Sequence, residues 1–140
     1  MSETPIYREL RFWVVLFAIL YTLALIVGTH SPREPWPELT IGRRDKLMHL
    51  LAYFGLTLVW AFSMRGWWRP SAWSFAVLIA GVAAFGATDE LTQSFVPGRQ
   101  CDLLDWIADM IGMSFGLGIF ALSQAIWLEE ERPLEEKARE

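Results

Sequence analysis

Charged and histidine side chains lie inside segments of this chain that are otherwise apolar enough to cross a bilayer, and that conflict limits what it can fold into. The apolar segments fall at about residues 12–29, 47–64, 71–95 and 103–127. At about 1.5 Å rise per residue, each one as a helix reaches or nearly reaches the roughly 30 Å hydrocarbon thickness. A charge at mid-membrane costs about 2.5–3.5 kcal/mol on insertion scales, so such residues pair with one another and mark functional positions. Asp45-Lys46-Leu47-Met48-His49 and the run from Asp89-Glu90 to Asp109 hold six of the ten acids outside the C-terminal tail. The expected fold is all-α: a polytopic membrane protein, four transmembrane helices in an antiparallel bundle, with a polar cluster near the extracytoplasmic side.

Composition agrees with this class. Of 140 residues, 54% are hydrophobic and 8 are Trp, and the mean hydropathy is +0.29, too apolar for an ordinary soluble domain of this size. A single domain over residues 1–128 is expected. The formal net charge of -4 and the lack of a basic stripe exclude nucleic acid as a partner. No phosphate-cradling glycine loop appears, which excludes nucleotide binding of that kind. Residues 129–140 form an acidic tail, expected to fray on the cytoplasmic side. Cys101 is the sole cysteine, so no intramolecular disulfide is available.

The connections are polar. Residues 30–44 carry Pro32, Pro35 and Pro37 and read as an irregular surface loop; residues 65–70 read as a tight turn. Val96-Pro97-Gly98-Arg99 places Pro second and Gly third, the preference of a type II turn. Tryptophans fit interfacial belts, with Trp13, Trp60, Trp67, Trp68, Trp73 and Trp127 at one surface and Trp36 and Trp106 at the other. The surface of the termini and the 65–70 turn carries 7 of the 12 basic residues and the opposite surface 5. The positive-inside rule then puts both termini inside, with both polar motifs facing the extracytoplasmic space.

Helical spacing shows which polar residues can meet. Lys46, His49, Tyr53 and Trp60 share a stripe on the second helix, with Asp45 one turn before His49. Gly86, Glu90 and Gln93 share a face on the third. Asp102, Asp105, Asp109, Gly112 and Gly116 share one on the fourth, acidic at its outer end and glycine-lined deeper in. Along that axis Asp109 lies about 10 Å from Asp102. Some of these have plain structural readings. Asp45 and Asp102 stand where helix N-caps are needed, and Gly112-x-x-x-Gly116 is a close-packing face, within the chain or between copies. Tyr53 also suits an interfacial ring, and Lys46 and Arg99 suit neutralisation of Glu90, Asp105 or Asp109. Glu90, Asp105, Asp109 and His49 are too deep and too numerous for solvated decoration.

Three chemistries can use such a cluster. His49 with several carboxylates can bind a divalent metal, but the spacing matches no ligand signature, so no metal ligands and no cofactor are assigned. Glu90 and His49 can act as general acid and base. Lys46 and Arg99 can hold a phosphate while Gln93, Tyr53, Asp105 and Asp109 orient the rest of a head group.

Two blocks, Asp45-Lys46-Leu47-Met48-His49-Leu50-Leu51-Ala52-Tyr53 and Glu90-Leu91-Thr92-Gln93-Ser94-Phe95-Val96-Pro97-Gly98-Arg99, together with Asp105, Asp109, Gly112 and Gly116, resemble the VanZ-like family over roughly residues 43–118. That resemblance implies a four-helix integral membrane protein with Asp45, Lys46, His49, Glu90, Gln93, Arg99 and Asp105 as a shared polar site. The family pattern usually carries Asn where this chain has Asp109. The name-giving members are linked to low-level resistance to the glycopeptide teicoplanin, a property that does not transfer to this chain.

The leading expectation is a cell-envelope protein that binds, and in one version modifies, an anionic lipid-linked or cell-wall substrate at the outer leaflet. Its partners are then membrane lipids or lipid-linked envelope intermediates, with homo-oligomers allowed, and whether it is an enzyme stays open. The alternative is a non-catalytic scaffold or modulator whose buried polar network is structural. A proton or solute conduit is disfavoured by the apolar inner halves of the helices.

Overall fold

The computed structural model describes residues 5–32, 38–65 and 71–137. Among them run four helices and no strand: α1 (Pro5–Thr29), α2 (Glu38–Arg65), α3 (Ala72–Gln93) and α4 (Leu103–Lys137). Within these, Glu9–Thr29, Arg44–Arg65, Ala72–Gln93 and Leu103–Trp127 are long and apolar enough to cross a membrane. The chain is a multi-pass, all-helical membrane protein.

Local signals set several helix ends. Ser71 caps α3: its hydroxyl accepts from the Ser74 amide (3.2 Å), and the Ser74 hydroxyl accepts from the Ser71 amide (2.9 Å), a reciprocal capping box. Asp102 caps α4, its Oδ1 accepting from the Leu104 amide at 2.8 Å. Between them the Arg99 amide donates to the Val96 carbonyl at 3.1 Å, and Gly98 has φ 78°. That is the type II turn expected from Pro97-Gly98, with glycine where positive φ is required.

Three boundaries differ from expectation, the first being α1, which begins at Pro5 and not near residue 12. α2 begins at Glu38, so residues 38–44 belong to the helix and not to the loop. After Pro37 the chain has no proline until Pro70, and nothing stops a helix from starting there. Asp45 is therefore an interior residue of α2 and caps nothing. α4 runs to Lys137, so residues 129–137 are helical where a frayed tail was expected. Glu, Leu, Arg and Lys are strong helix formers, and Pro133 removes a single backbone donor from that stretch. The 66–70 part of the expected turn, Trp36, Trp67 and Trp68 lie outside the described residues.

Cross-helix contacts fix the directions. At one end, Arg99 reaches the Gly28 and Ser31 carbonyls at the end of α1, Lys46 of α2 reaches Asp102 and Asp105, and Glu90 of α3 meets the Asp102 amide. At the other end, the Arg65 guanidinium lies 5.0 Å over the Trp127 ring, and Phe75 packs on Phe120 at 6.0 Å. Successive helices thus run antiparallel. α2 and α4 form the most extensive pair, α1 packs on α2, and α3 sits against both α2 and α4. Tyr53, Leu56, Leu78, Val82, Met113 and Phe120 build the apolar core. Phe12, Trp13, Phe17, Leu122 and Ile126 are exposed, as a lipid-facing surface requires. Of the described tryptophans, Trp13, Trp73 and Trp127 face outward. Trp60 and Trp106 instead donate inward, to Thr22 Oγ1 (3.1 Å) and the Ala83 carbonyl (3.2 Å).

The glycine face of α4 packs within the chain. A Cβ on Gly112 would overlap the Leu50 carbonyl oxygen of α2, and one on Gly116 would stand 2.9 Å from the Phe54 carbonyl oxygen. Backbone offers no flexible end to move aside, so the helices must separate. Gly112→Ala is expected to destabilise the detergent-solubilised protein by about 1–3 kcal/mol, the usual range for overpacking. Gly118→Ala, whose Cβ meets nothing within 4 Å, is expected to leave the thermal unfolding midpoint unchanged. Equal shifts in the two variants would contradict this packing.

Candidate functional site

Burial inside a bundle leaves a polar side chain dependent on its neighbours, because no water competes for it. His49, Asp89, Glu90, Gln93, Asp105 and Asp109 are each no more than 5% exposed. They fall into two clusters at the same end of the bundle.

The first lies between α2, α3 and α4, with His49 at its centre. Its Nδ1 lies 2.9 Å from Asp109 Oδ1 and 3.8 Å from Glu90 Oε1. Its Nε2 faces Asp45 Oδ1 at 3.9 Å, one helical turn earlier. An ionised carboxylate only accepts, so the Nδ1 proton is donated to Asp109. Ligand-type atoms of His49, Glu90 and Asp109 all lie within 4.8 Å of one another, and the same holds for Asp45, His49 and Asp105. Glu90 Oε2 accepts from the Asp102 amide at 3.0 Å, which ties α3 to the start of α4. Glu90 Oε1, Asp109 Oδ2 and the Tyr53 hydroxyl are buried with no hydrogen-bond partner. Tyr53 is fully buried, not an interfacial ring. It and Asp109 crowd the same spot, since a Cβ on Gly86 would stand 3.1 Å from Tyr53 Cε1 and 3.3 Å from Asp109 Oδ2.

Lys46 forms the outer edge of this cluster. Its Nζ donates to Asp102 Oδ2 at 2.7 Å and Asp105 Oδ1 at 2.9 Å. The side chains of Lys46 and Asp102 are 35% and 42% exposed and that of Asp105 is 7% exposed, so the ion pair leads from the surface inward.

The second cluster joins α1 to α3 and takes Gln93 and Arg99 away from the His49 centre. Gln93 Nε2 donates to Asp89 Oδ2 at 2.8 Å, and Arg99 Nη1 donates to Gln93 Oε1 at 3.1 Å. Arg99 also donates to the Gly28 carbonyl at 2.9 Å and the Ser31 carbonyl at 3.1 Å, capping the last turn of α1. The Thr29 hydroxyl donates to Asp89 Oδ1 at 2.8 Å, and His30 Nδ1 lies 3.6 Å from the same oxygen. Asp89, Thr29 and His30 were missed by the sequence reading. Asp89 had a signal, since two adjacent acids cannot both face lipid.

Asp102 stands just outside the membrane-spanning part of α4, and its carboxyl is held below the ordinary value of 3.8, first by the Lys46 hydrogen bond and then by the Leu104 amide. A carboxyl with a depressed folded-state pKa contributes stability above its unfolded value, and that contribution is lost as pH falls through the folded value. The stability difference between the wild type and Asp102→Asn is therefore expected to be constant from neutral pH down to about pH 5 and to shrink below about pH 4. Thermal unfolding in detergent across that range checks it; a difference that grows on acidification would contradict the pairing.

The VanZ/LLP1 family pattern matches residues 8–124, a stretch that contains both polar clusters and the glycine face. An uncharacterized protein of Schizosaccharomyces pombe is 35% identical over 121 residues, covering 85% of this chain and 68% of the relative. No solved structure matches the chain. With the family pattern spanning all four membrane segments, this chain belongs to the VanZ/LLP1 family.

Proposed function

We propose that this protein sits in a bacterial cytoplasmic membrane with both termini inside, and that it binds and modifies an anionic lipid-linked substrate at the outer leaflet. The observation that carries the reading is the Asp109–His49 pair facing an unpartnered Glu90 oxygen. Asp109 orients His49, and His49 and Glu90 exchange a proton with the substrate as acid and base. Lys46 is the cation at the rim, and an arriving phosphate exchanges with Asp102 for it. Arg99, bonded to α1 carbonyls and Gln93, holds the wall of the site and not the phosphate. A relative in a fungus favours a membrane lipid, which every cell has, over a polymer of one kind of wall.

A second reading is supported by the Lys46–Asp102–Asp105 and Thr29–Asp89–Gln93–Arg99 bonds, which join helices and leave those groups satisfied. In it the polar network fixes helix register in a non-catalytic scaffold. The two readings separate on one measurement. Glu90→Gln and His49→Gln are expected to lose complementation of a deletion strain's envelope phenotype while protein abundance stays near wild type. Since a general acid or base contributes about 10²–10⁴-fold, the loss should be close to complete. Activity that falls only in step with abundance favours the scaffold, and full complementation by both variants ends the catalytic reading.

Topology has its own test. Cys101 is exposed beside Asp102 at the polar end of the bundle. A membrane-impermeant maleimide is expected to label it in intact cells and not in sealed inside-out vesicles; the reverse pattern would turn the site toward the cytoplasm.

A further inference from the structure

We propose that His49 Nδ1, Glu90 and Asp109 bind one divalent transition-metal ion. This inference does not rest on the substrate reading, and it takes atoms which that reading uses, because with an ion bound His49 Nδ1, Glu90 and Asp109 are its ligands. Spacing along the sequence carries no ligand signature, because the three residues come from three different helices. The fold supplies what the sequence lacks.

Three observations converge. The first is distance. First-row ions bind nitrogen and oxygen at about 2.0–2.2 Å, so the ligand atoms around one ion stand roughly 2.8–4.4 Å apart. His49 Nδ1 lies 2.9 Å from Asp109 Oδ1 and 3.8 Å from Glu90 Oε1, and the three ligand atoms are mutually within 4.8 Å. The second is unmet demand. Glu90 Oε1, Asp109 Oδ2 and the Tyr53 hydroxyl have no partner, in residues that are 3%, 0% and 0% exposed. Partnerless oxygens buried this deeply are costly, and a cation held between Glu90 and Asp109 satisfies the carboxylates. The third is charge. Two carboxylates and a neutral imidazole carry two negative charges, which a divalent ion neutralises inside a low-dielectric bundle. Lys46 directs its hydrogen bonds to Asp102 and Asp105 instead.

The second triad, Asp45, His49 and Asp105, is the weaker site because Asp105 Oδ1 is already taken by Lys46. Its Asp45 instead has the place of an outer partner. When the ion replaces the Nδ1 proton, His49 carries its proton on Nε2, the nitrogen that faces Asp45. A carboxylate behind a metal-bound imidazole fixes tautomer and orientation, and its loss typically weakens binding about 10–100-fold.

The test uses full-length, tag-free protein in detergent, stripped with a chelator and titrated with Zn²⁺ or Mn²⁺ by calorimetry, without any substrate. One equivalent is expected to bind, and the Mn²⁺-loaded protein is expected to show the coupling of a single imidazole nitrogen by pulsed electron paramagnetic resonance. Glu90→Gln, whose nearest atom is not hydrogen-bonded to His49, should preserve the helical signal and weaken binding at least tenfold. Asp109→Asn should do the same, His49→Gln should abolish the nitrogen coupling, and Asp45→Asn should weaken binding about tenfold. His30→Ala, which removes the other histidine, should change affinity less than twofold. Absence of stoichiometric binding at 100-fold metal excess, or affinity indifferent to both Glu90→Gln and Asp109→Asn, would overturn the proposal. Because no substrate is present, that outcome leaves the acid–base reading standing; intact metal binding with full complementation by Glu90→Gln would do the opposite.

Discussion

The close approach of α2 and α4 decides where every other group at the polar end lies. Gly112 and Gly116 let α4 rest directly on the α2 backbone at Leu50 and Phe54. Leu50 follows His49 in sequence, and Gly112 comes three residues after Asp109. A seam tight enough to exclude a methyl group at Gly112 therefore brings the imidazole of one helix against the carboxylate of the other at 2.9 Å. In lipid, apolar side chains gain little by leaving the bilayer for another helix, so small residues and polar contacts carry more of the association. Here the two work on the same pair of helices. The glycines permit the approach, and the Lys46 bonds to Asp102 and Asp105 set its register.

Around that seam the polar side chains divide their labour. Gln93, Arg99, Asp89 and Thr29 are joined to one another or to backbone carbonyls, and together they fasten α1 to α3. The His49 group is different: its geometry is fixed, yet three of its oxygens remain without partners. A network that served only to hold helices together gains nothing from leaving acceptors bare, because each bare acceptor subtracts from stability. Three of the four buried side-chain atoms without a partner among the described residues gather around this one histidine, the fourth being Gln124 Nε2 on α4, and that concentration is what the binding proposals above rest on.

Much of this was readable from spacing. The stripe Lys46–His49–Tyr53 and the faces Gly86–Glu90–Gln93 and Asp105–Asp109–Gly112–Gly116 are consequences of a period of 3.6 residues, and each is inward-facing in the structure. The Pro97-Gly98 turn was equally legible, since only certain φ values suit those residues. Asp45 was misread as a cap because α2 was started too late: hydropathy marks where a segment can enter lipid, and a helix does not have to begin there. Arg99 was misplaced for another reason. Its α1 partners are carbonyls of Gly28 and Ser31, and backbone acceptors at a helix end leave no trace in side-chain pattern. Asp109 was legible as a charge out of place, since the related family usually carries Asn there. Its distance to His49 required the fold.

The asymmetry of the bundle bounds the kind of chemistry available. Below Tyr53 the buried residues are Leu56, Ala61, Leu78, Val82, Met113 and Phe120. The two buried hydroxyls there, Thr57 and Ser63, donate to backbone carbonyls, Thr57 to Tyr53 at 2.7 Å and Ser63 to Val59 at 2.6 Å and to Val14 of α1 at 3.5 Å. Such back-bonded hydroxyls satisfy themselves and offer no relay to a neighbour. The His49 group thus has polar company toward Lys46 and Asp102 and mostly apolar packing on the opposite side. The proposed site would therefore open toward the membrane face on which the exposed Lys46–Asp102 pair lies. On the reading proposed above, this one-sided distribution of polar groups suits action at a single leaflet better than passage across the membrane.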